Sequence, residues 1–294
     1  MSDRLKLGTR GSRLALAQAQ LVADALGGAE IVAVKSSDGE PGDKERYVRG
    51  VERAVLAGDA DLAVHSAKDL PGDRPQELRL VGVHGRVDPM DAYLGAASSL
   101  DDVREGARVG TASLRRRSQL LALRRDLDVV ELHGNVDTRL GKLSEGEFDG
   151  IVLAAAGLRR LTREAEIAFG FGLEELTPAA GQGSLALEAR RDDPDAAAAA
   201  ASISDHDALV ELTAERAAVA ALQATCHTPV GICARLAASE LTMYGFAGLP
   251  DGSEWVRDRL TGDPEQPAAL GQALAERLLA GGAGPILERA QALA

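Results

Sequence analysis

Residues 107–124 read ARVGTASLRRRSQLLALR, and this stretch decides the fold class. A short apolar run ending at Val109 meets Gly110. Thr111, Ala112 and Ser113 then turn the chain into a leucine-bearing helical segment. Ser and Thr are favoured helix N-caps, so the order strand, turn, capped helix is legible from residue types alone.

The same order recurs on both sides. Upstream, RLKLGTR (4–10) leads through a turn into SRLALAQAQLVADAL (12–26), and EIVAVKS (30–36) precedes the helical YVRGVERAVLAG (47–58). ADLAVHSAKDL (60–70) is a strand entering a loop, and LRLVGVHG (78–85) another strand. Downstream, DVVELHG (128–134), NVDTRLGKLSEG (135–146) and DGIVLAAAGLRRL (149–161) repeat the alternation. Strands alternating with helices predict α/β modules with parallel-type β-α units. SSDGEPGDKER (36–46) predicts a surface loop, and GRVDPMDAY (85–93) separates two modules. Further on come a glycine hinge, a strand, and an alanine-rich helix capped near Asp195. The last segment opens with a helix through LVELTAERAAVAAL (209–222). It continues in a strand-like stretch (233–260) and closes on a helix near 267–282, which suits a small α+β domain. The expected partition is 1–88 plus 184–203, then 89–183, then 204–294.

Charge placement narrows the function. The chain carries a net charge of -12, with 28 Arg and five Lys among its basic residues, yet seven arginines crowd residues 104–125 against one acid, Glu105. The overall sign disfavours a diffuse nucleic-acid surface, while a local arginine cluster suits a small anion. No apolar run approaches the roughly 20 residues of a membrane span, and MSDRLKLGTR is charged from its start, so a cytoplasmic protein is expected. Cys226 and Cys233 lack a zinc spacing and are expected to be reduced thiols.

In α/β sheets, ligands bind beyond the carboxyl ends of strands. The polar residues there are Thr9, Arg10 and Ser12; His65, Ser66, Lys68 and Asp69; Thr111, Ser113, Arg115 and Arg116; His133, Asn135 and Arg139; and Arg159 and Arg160. The set is cationic and hydroxyl-rich, with Asp69 the single acid on the first-module side. Each has a plainer reading. Ser113 is a helix cap, Lys68–Asp69 a surface pair of about 0–1 kcal/mol, and His65 and His133 satisfied histidines. Cys226 taken alone is a small buried hydrophobe, and Arg117, Arg124 and Arg125 a solvated face. Residue chemistry alone reaches a two-domain anion-binding cleft with one unusual acid.

The ordered stretches TRGSRLALAQA, DLAVHSAKDLP, VGTASLRRRSQL, LHGNVDTRL, IVLAAAGLRRL, PAAGQGSLALE, TAERA and CHTPVG, running from Thr9 to Gly231, with LPDGSE beyond, resemble the porphobilinogen deaminase (hydroxymethylbilane synthase) family. The resemblance implies two periplasmic-binding-protein-like α/β domains plus a small α+β C-terminal domain. It implies a cytoplasmic, monomeric transferase of tetrapyrrole biosynthesis that condenses four porphobilinogen molecules into hydroxymethylbilane, releasing ammonia. The product grows on a dipyrromethane cofactor held by a thioether. By that resemblance Asp69 is catalytic, Cys226 carries the cofactor, and Arg10, Arg115, Arg116, Arg139 and Arg160 neutralise substrate carboxylates. Ser12, Ser66, Thr111 and Ser113 help with hydroxyls, Gln18, Lys68, His133 and Asn135 line the site, and Lys44 belongs to a lid over 36–46. Hand-over of product to uroporphyrinogen-III synthase is also implied, with no nucleic acid, membrane or metal. Three positions depart from the family pattern: His133 replaces an arginine, Ala224-Thr225 precedes the cysteine, and KERY stands in the lid. The competing readings are a non-catalytic anion- or solute-binding protein of the same architecture and an enzyme relic that has lost turnover.

Overall fold

The computed structural model describes residues 4–34, 44–72, 74–225 and 228–293, with the backbone alone at 44–47. In chain order the first elements are β1 (Lys6–Arg10), α1 (Arg13–Ala25), β2 (Glu30–Val34), α2 (Lys44–Leu56), β3 (Leu62–Ser66) and β4 (Leu78–Arg86). Next come β5 (Asp91–Gly95), β6 (Arg108–Gly110), α3 (Leu114–Leu123), β7 (Asp128–Val130), α4 (Val136–Ser144), β8 (Gly150–Ala154), α5 (Ala155–Arg160) and β9 (Phe169–Gly170). The remainder is β10 (Ser184–Arg190), α6 (Pro194–Ser202), α7 (His206–Ala221), β11 (Val230–Ala237), β12 (Glu240–Gly248), β13 (Trp255–Gly262), α8 (Pro267–Ala280) and α9 (Ala283–Ala292). Two compact units result: unit 1 holds Met1–Val87 and Gly183–Leu209, and unit 2 holds Asp88–Gln182 and Val210–Ala294.

The two α/β sheets are built alike. Unit 1 has the strand order β2-β1-β3-β10-β4 and unit 2 the order β7-β6-β8-β5-β9. In each, three strands run parallel and the fourth, β10 or β5, runs against its neighbours. The sheets are therefore mixed, where repeated β-α units alone predict parallel pairing. The first sheet packs Leu7, Leu62, Val64, Leu185 and Leu187 against Val22 and Ala23 of α1 and Ala196 and Ala200 of α6. The second has Val109, Val129 and Val152 on one face and Leu94, Ile151 and Leu153 on the other. Burying both faces of a sheet explains why these strands read as continuous apolar runs.

Capping follows residue type. Ser12 starts α1 by accepting from the Ala15 amide, Ser113 starts α3 by accepting from Arg116, and Asn135 starts α4 by accepting from Thr138. The alanine-rich helix α6 is capped by Asp193, not Asp195. Pro194 takes the first helical position, where its missing N–H is no loss.

The stretch read as strand-like over 233–260 is an antiparallel meander, β11-β12-β13. It packs Ile232, Ala234, Leu241 and Met243 against Leu274 and Leu278 of α8. This C-terminal part shares unit 2 with Asp88–Gln182 and is sewn to it. The Ile232 amide donates to the Pro178 carbonyl at 2.9 Å, and the buried Glu215 carboxylate accepts from Gly181 at 2.6 Å and Ala234 at 2.7 Å.

Candidate active site

In unit 1 the site residues gather where β1 and β3 end. Arg10 closes β1, and a 3-10 turn, Ala67–Asp69, follows β3 directly. An Arg10 Nη1 lies 3.8 Å from an Asp69 carboxylate oxygen. Ser66 and Gln18 satisfy each other, with Gln18 Nε2 donating to Ser66 Oγ at 2.9 Å. Thr9 is buried, its hydroxyl 3.4 Å from the Ala15 and Val64 carbonyls. Lys68 shares the turn with Asp69. Lys44 is the first residue of α2, and its side chain lies outside the described residues, as does most of the 36–46 lid.

Unit 2 presents the corresponding strand ends. Gly110 has no room for a Cβ, which would stand 2.9 Å from Leu132 and Phe148, so β6 can pass close to its neighbours. Thr111 is buried and its hydroxyl accepts from the Ser113 amide. Gly134 takes a left-handed φ of 119°, which glycine alone adopts without strain. It presents its carbonyl to Arg139 Nε at 2.8 Å. Asn135 caps α4, and Arg160 ends α5, half-buried.

Arg115 and Arg116 differ from expectation. Both guanidinia turn inward and are nearly fully buried. Arg115 Nη1 donates to Asp91 at 2.7 Å and to the Thr177 carbonyl at 2.7 Å. Arg116 donates through Nε and Nη2 to the other Asp91 oxygen at 3.0 and 2.7 Å, and through Nη1 to the Val152 carbonyl. Gln182 adds a further donor to Asp91 at 2.8 Å. The reason is Asp91 itself, which is wholly buried and demands compensation. Burial pushes its carboxyl up, but the two guanidinia outweigh that and hold it far below the usual carboxylate range. Sequence reasoning missed Asp91. The available signal was an acid in MDAYLG, a strand otherwise apolar.

Two guanidinia against one carboxylate leave a local positive surplus, and Arg139 registers it. Burial, followed by repulsion from Arg116, brings Arg139 down to about 10. Burial alone brings Arg160 down to about 10. Both are desolvated cations whose charged state an anion would stabilise. His133, by contrast, is exposed and stands 2.9 Å from the equally exposed Glu131. Arg117 is only partly exposed, and Arg124 is fastened to Asp126 and two carbonyls, so neither is a purely solvated residue.

Cys226 and His227 lie outside the described residues. Their neighbours Thr225 and Thr228 are joined, the Thr225 amide donating to Thr228 Oγ1 at 2.7 Å. Cys233 is buried in β11. Among the described residues, no group of three or more His, Cys, Asp or Glu is placed to hold a metal ion, and no helix is long and apolar enough to cross a membrane.

Comparison with known proteins matches residues 5–198 to the porphobilinogen deaminase dipyromethane cofactor binding domain and residues 209–280 to the porphobilinogen deaminase C-terminal domain. A porphobilinogen deaminase of Roseiflexus castenholzii is 44% identical, covering 98% of this chain and 99% of its own. One from Brevibacillus brevis is 41% identical, covering 96% of each. Among solved structures, a TRAP periplasmic solute binding protein from Desulfovibrio salexigens is similar at a TM-score of 0.42 and 11% identity, over 69% of this chain and 73% of that one. With both of its domains matched and relatives of this identity along nearly its full length, the chain belongs to the porphobilinogen deaminase family.

Proposed function

We propose that this chain condenses four porphobilinogen molecules head to tail into hydroxymethylbilane, releasing ammonia, on a dipyrromethane carried by Cys226. Family membership favours this enzyme over a non-catalytic solute-binding protein. The observation that carries the residue assignment is the contrast at the strand ends: one acid, Asp69, on unit 1 and surplus, desolvated cations on unit 2.

The donor set fits a dipyrromethane, whose pyrroles carry carboxylate side chains. Arg139 and Arg160 are desolvated cations, and Asn135, which caps α4, lies one turn before Arg139. When bound, that group supplies the pyrrole carbon on which the chain is extended. Arg139 and Arg160 bind carboxylates directly. Arg115 and Arg116 contribute through charge, since Asp91 holds their guanidinia in place. Asp69 aims its carboxylate at pyrrole N–H, stabilises positive charge that develops on nitrogen, and holds the proton to be moved. Arg10, at ion-pair distance, orients it. Gln18, Ser66, Lys68, Ser12 and Thr111 complete the polar lining, and Lys44 acts from the lid. In this reading the enzyme is a cytoplasmic monomer and its product passes to uroporphyrinogen-III synthase.

Intact mass under denaturing conditions tests the reading. The expected result is an excess of two linked pyrrole units on the wild type and none on Cys226→Ser. An unmodified, folded wild type after incubation with porphobilinogen overturns it.

A further inference from the structure

Asp69 sits in a three-residue 3-10 turn, closed at its end by Leu70 N donating to Ala67 O at 3.3 Å. So short a turn has poor hydrogen-bond geometry and does not by itself fix a side chain. The bracing comes from β10. Glu188 is fully buried, and its two carboxylate oxygens diverge. Oε2 stands 3.3 Å from Nε2 of His65, off the hydrogen-bond axis but close enough for charge to act. Oε1 accepts from Nη1 of Arg74 at 3.0 Å. His65 precedes the turn in β3, and Arg74 follows it in the next loop. Register makes the first contact unavoidable. Ala186 pairs with His65, and Glu188 lies two residues along the same face, the diagonal position across antiparallel strands.

From this geometry we infer that Glu188 is a positioning residue for the reaction, one buried carboxylate gripping the chain on both sides of Asp69 through His65 and Arg74. The inference rests on Asp69 being the catalytic acid. The surroundings keep the grip ionic. Burial pushes Glu188 up, but His65 and Arg74 outweigh it and hold the carboxyl below its ordinary range. Glu52 of α2, buried nearby, is pushed the other way by burial and by the charge of Glu188, which His65, Arg49 and Arg74 offset in part.

Steady-state kinetics of the cofactor-loaded enzyme, read beside hydrogen exchange, test the clasp with four variants. Arg74 is 27% exposed, so its replacement perturbs the fold less than Glu188→Gln does. Arg74→Ala should lower kcat about tenfold or more, because small misplacements of a catalytic group are costly. KM for porphobilinogen should stay within about twofold, since binding is not what the clasp provides. Exchange should rise in amides 66–70 and stay unchanged in β5 and β8, and Arg74→Lys should recover most of the rate. A wild-type kcat in Arg74→Ala overturns the inference, as does a loss that follows the melting temperature and is not rescued by lysine. A folded Glu188→Gln with wild-type kcat overturns it equally. Asp69→Asn is run in parallel. If it keeps its rate, the catalytic assignment of Asp69 fails and the clasp with it. If it is inactive while Arg74→Ala is normal, the clasp alone fails.

Discussion

Glu188 and Asp91 lie on corresponding strands of the two sheets but at different heights, Asp91 opposite Ala154 at the end of β8 and Glu188 opposite Ala63 near the start of β3. Each is a fully buried carboxylate on the fourth strand, the one that runs against its neighbours. Their company is inverted. Asp91 faces two buried guanidinia and a glutamine amide. Glu188 faces one partly exposed guanidinium and a histidine, with a second acid, Glu52, close by. Around Asp91, repulsion from Arg116 adds to the burial that lowers Arg139, and around Glu188 its negative charge adds to the burial that raises Glu52. One architecture thus holds two buried acids that are compensated in different ways.

The inversion makes the two acids unequal under mutation. Asp91→Asn strands two buried cations and should cost about 3–5 kcal/mol, measured by urea unfolding. A loss under about 1 kcal/mol would mean the guanidinia find other acceptors and the surplus has no structural weight. Glu188→Gln should cost about 1–3 kcal/mol, because Arg74 can rehydrate.

Acid should separate the units as well. Asp91 has a folded pKa below its unfolded one, so its contribution is complete above about 4 and is lost as pH falls. Glu188 shares that sign. Glu52 has the opposite one, its contribution being present below about 4.3 and lost as pH rises through the folded value. As pH falls from 5 to 3, on the order of where free carboxylates titrate, amides of β5 and β8 should lose protection before those of β3 and β10. Simultaneous loss would contradict the contrast. The smallest effect belongs to His133→Arg. Glu131 already faces that exposed position, so KM should fall no more than about twofold. A larger drop would give residue 133 a share in the carboxylate wall that its present pairing hides.

Local chemistry was readable in advance. Ser113 is legible from residue type as a cap, and it caps a helix at a strand end, as Ser12 and Asn135 also do. The alternation around residues 107–124 gave the α/β class for the same reason, since each element is dictated by residues adjacent in sequence. What stayed hidden depended on distant partners. Arg115 and Arg116 are turned inward by Asp91, which a chain reading treats as part of a linker. Glu188 looks like one polar residue in an apolar strand until β10 is laid beside β3. Antiparallel insertion of β5 and β10 was likewise invisible, because neither strand pairs with its neighbour in sequence.

That insertion has a consequence for how the chain is made. During synthesis, β3 and the turn bearing Asp69 emerge long before β10, which lies between β3 and β4 in the finished sheet. Until Ser184–Arg190 leaves the ribosome, the first sheet lacks the strand between β3 and β4, and His65 and Arg74 lack their Glu188 partner. Residues 88–182 complete their own five strands first. Sheets can close as their strands are completed during synthesis, so the second α/β sheet should be the first to close, and the surroundings of the Asp69 turn should be completed later.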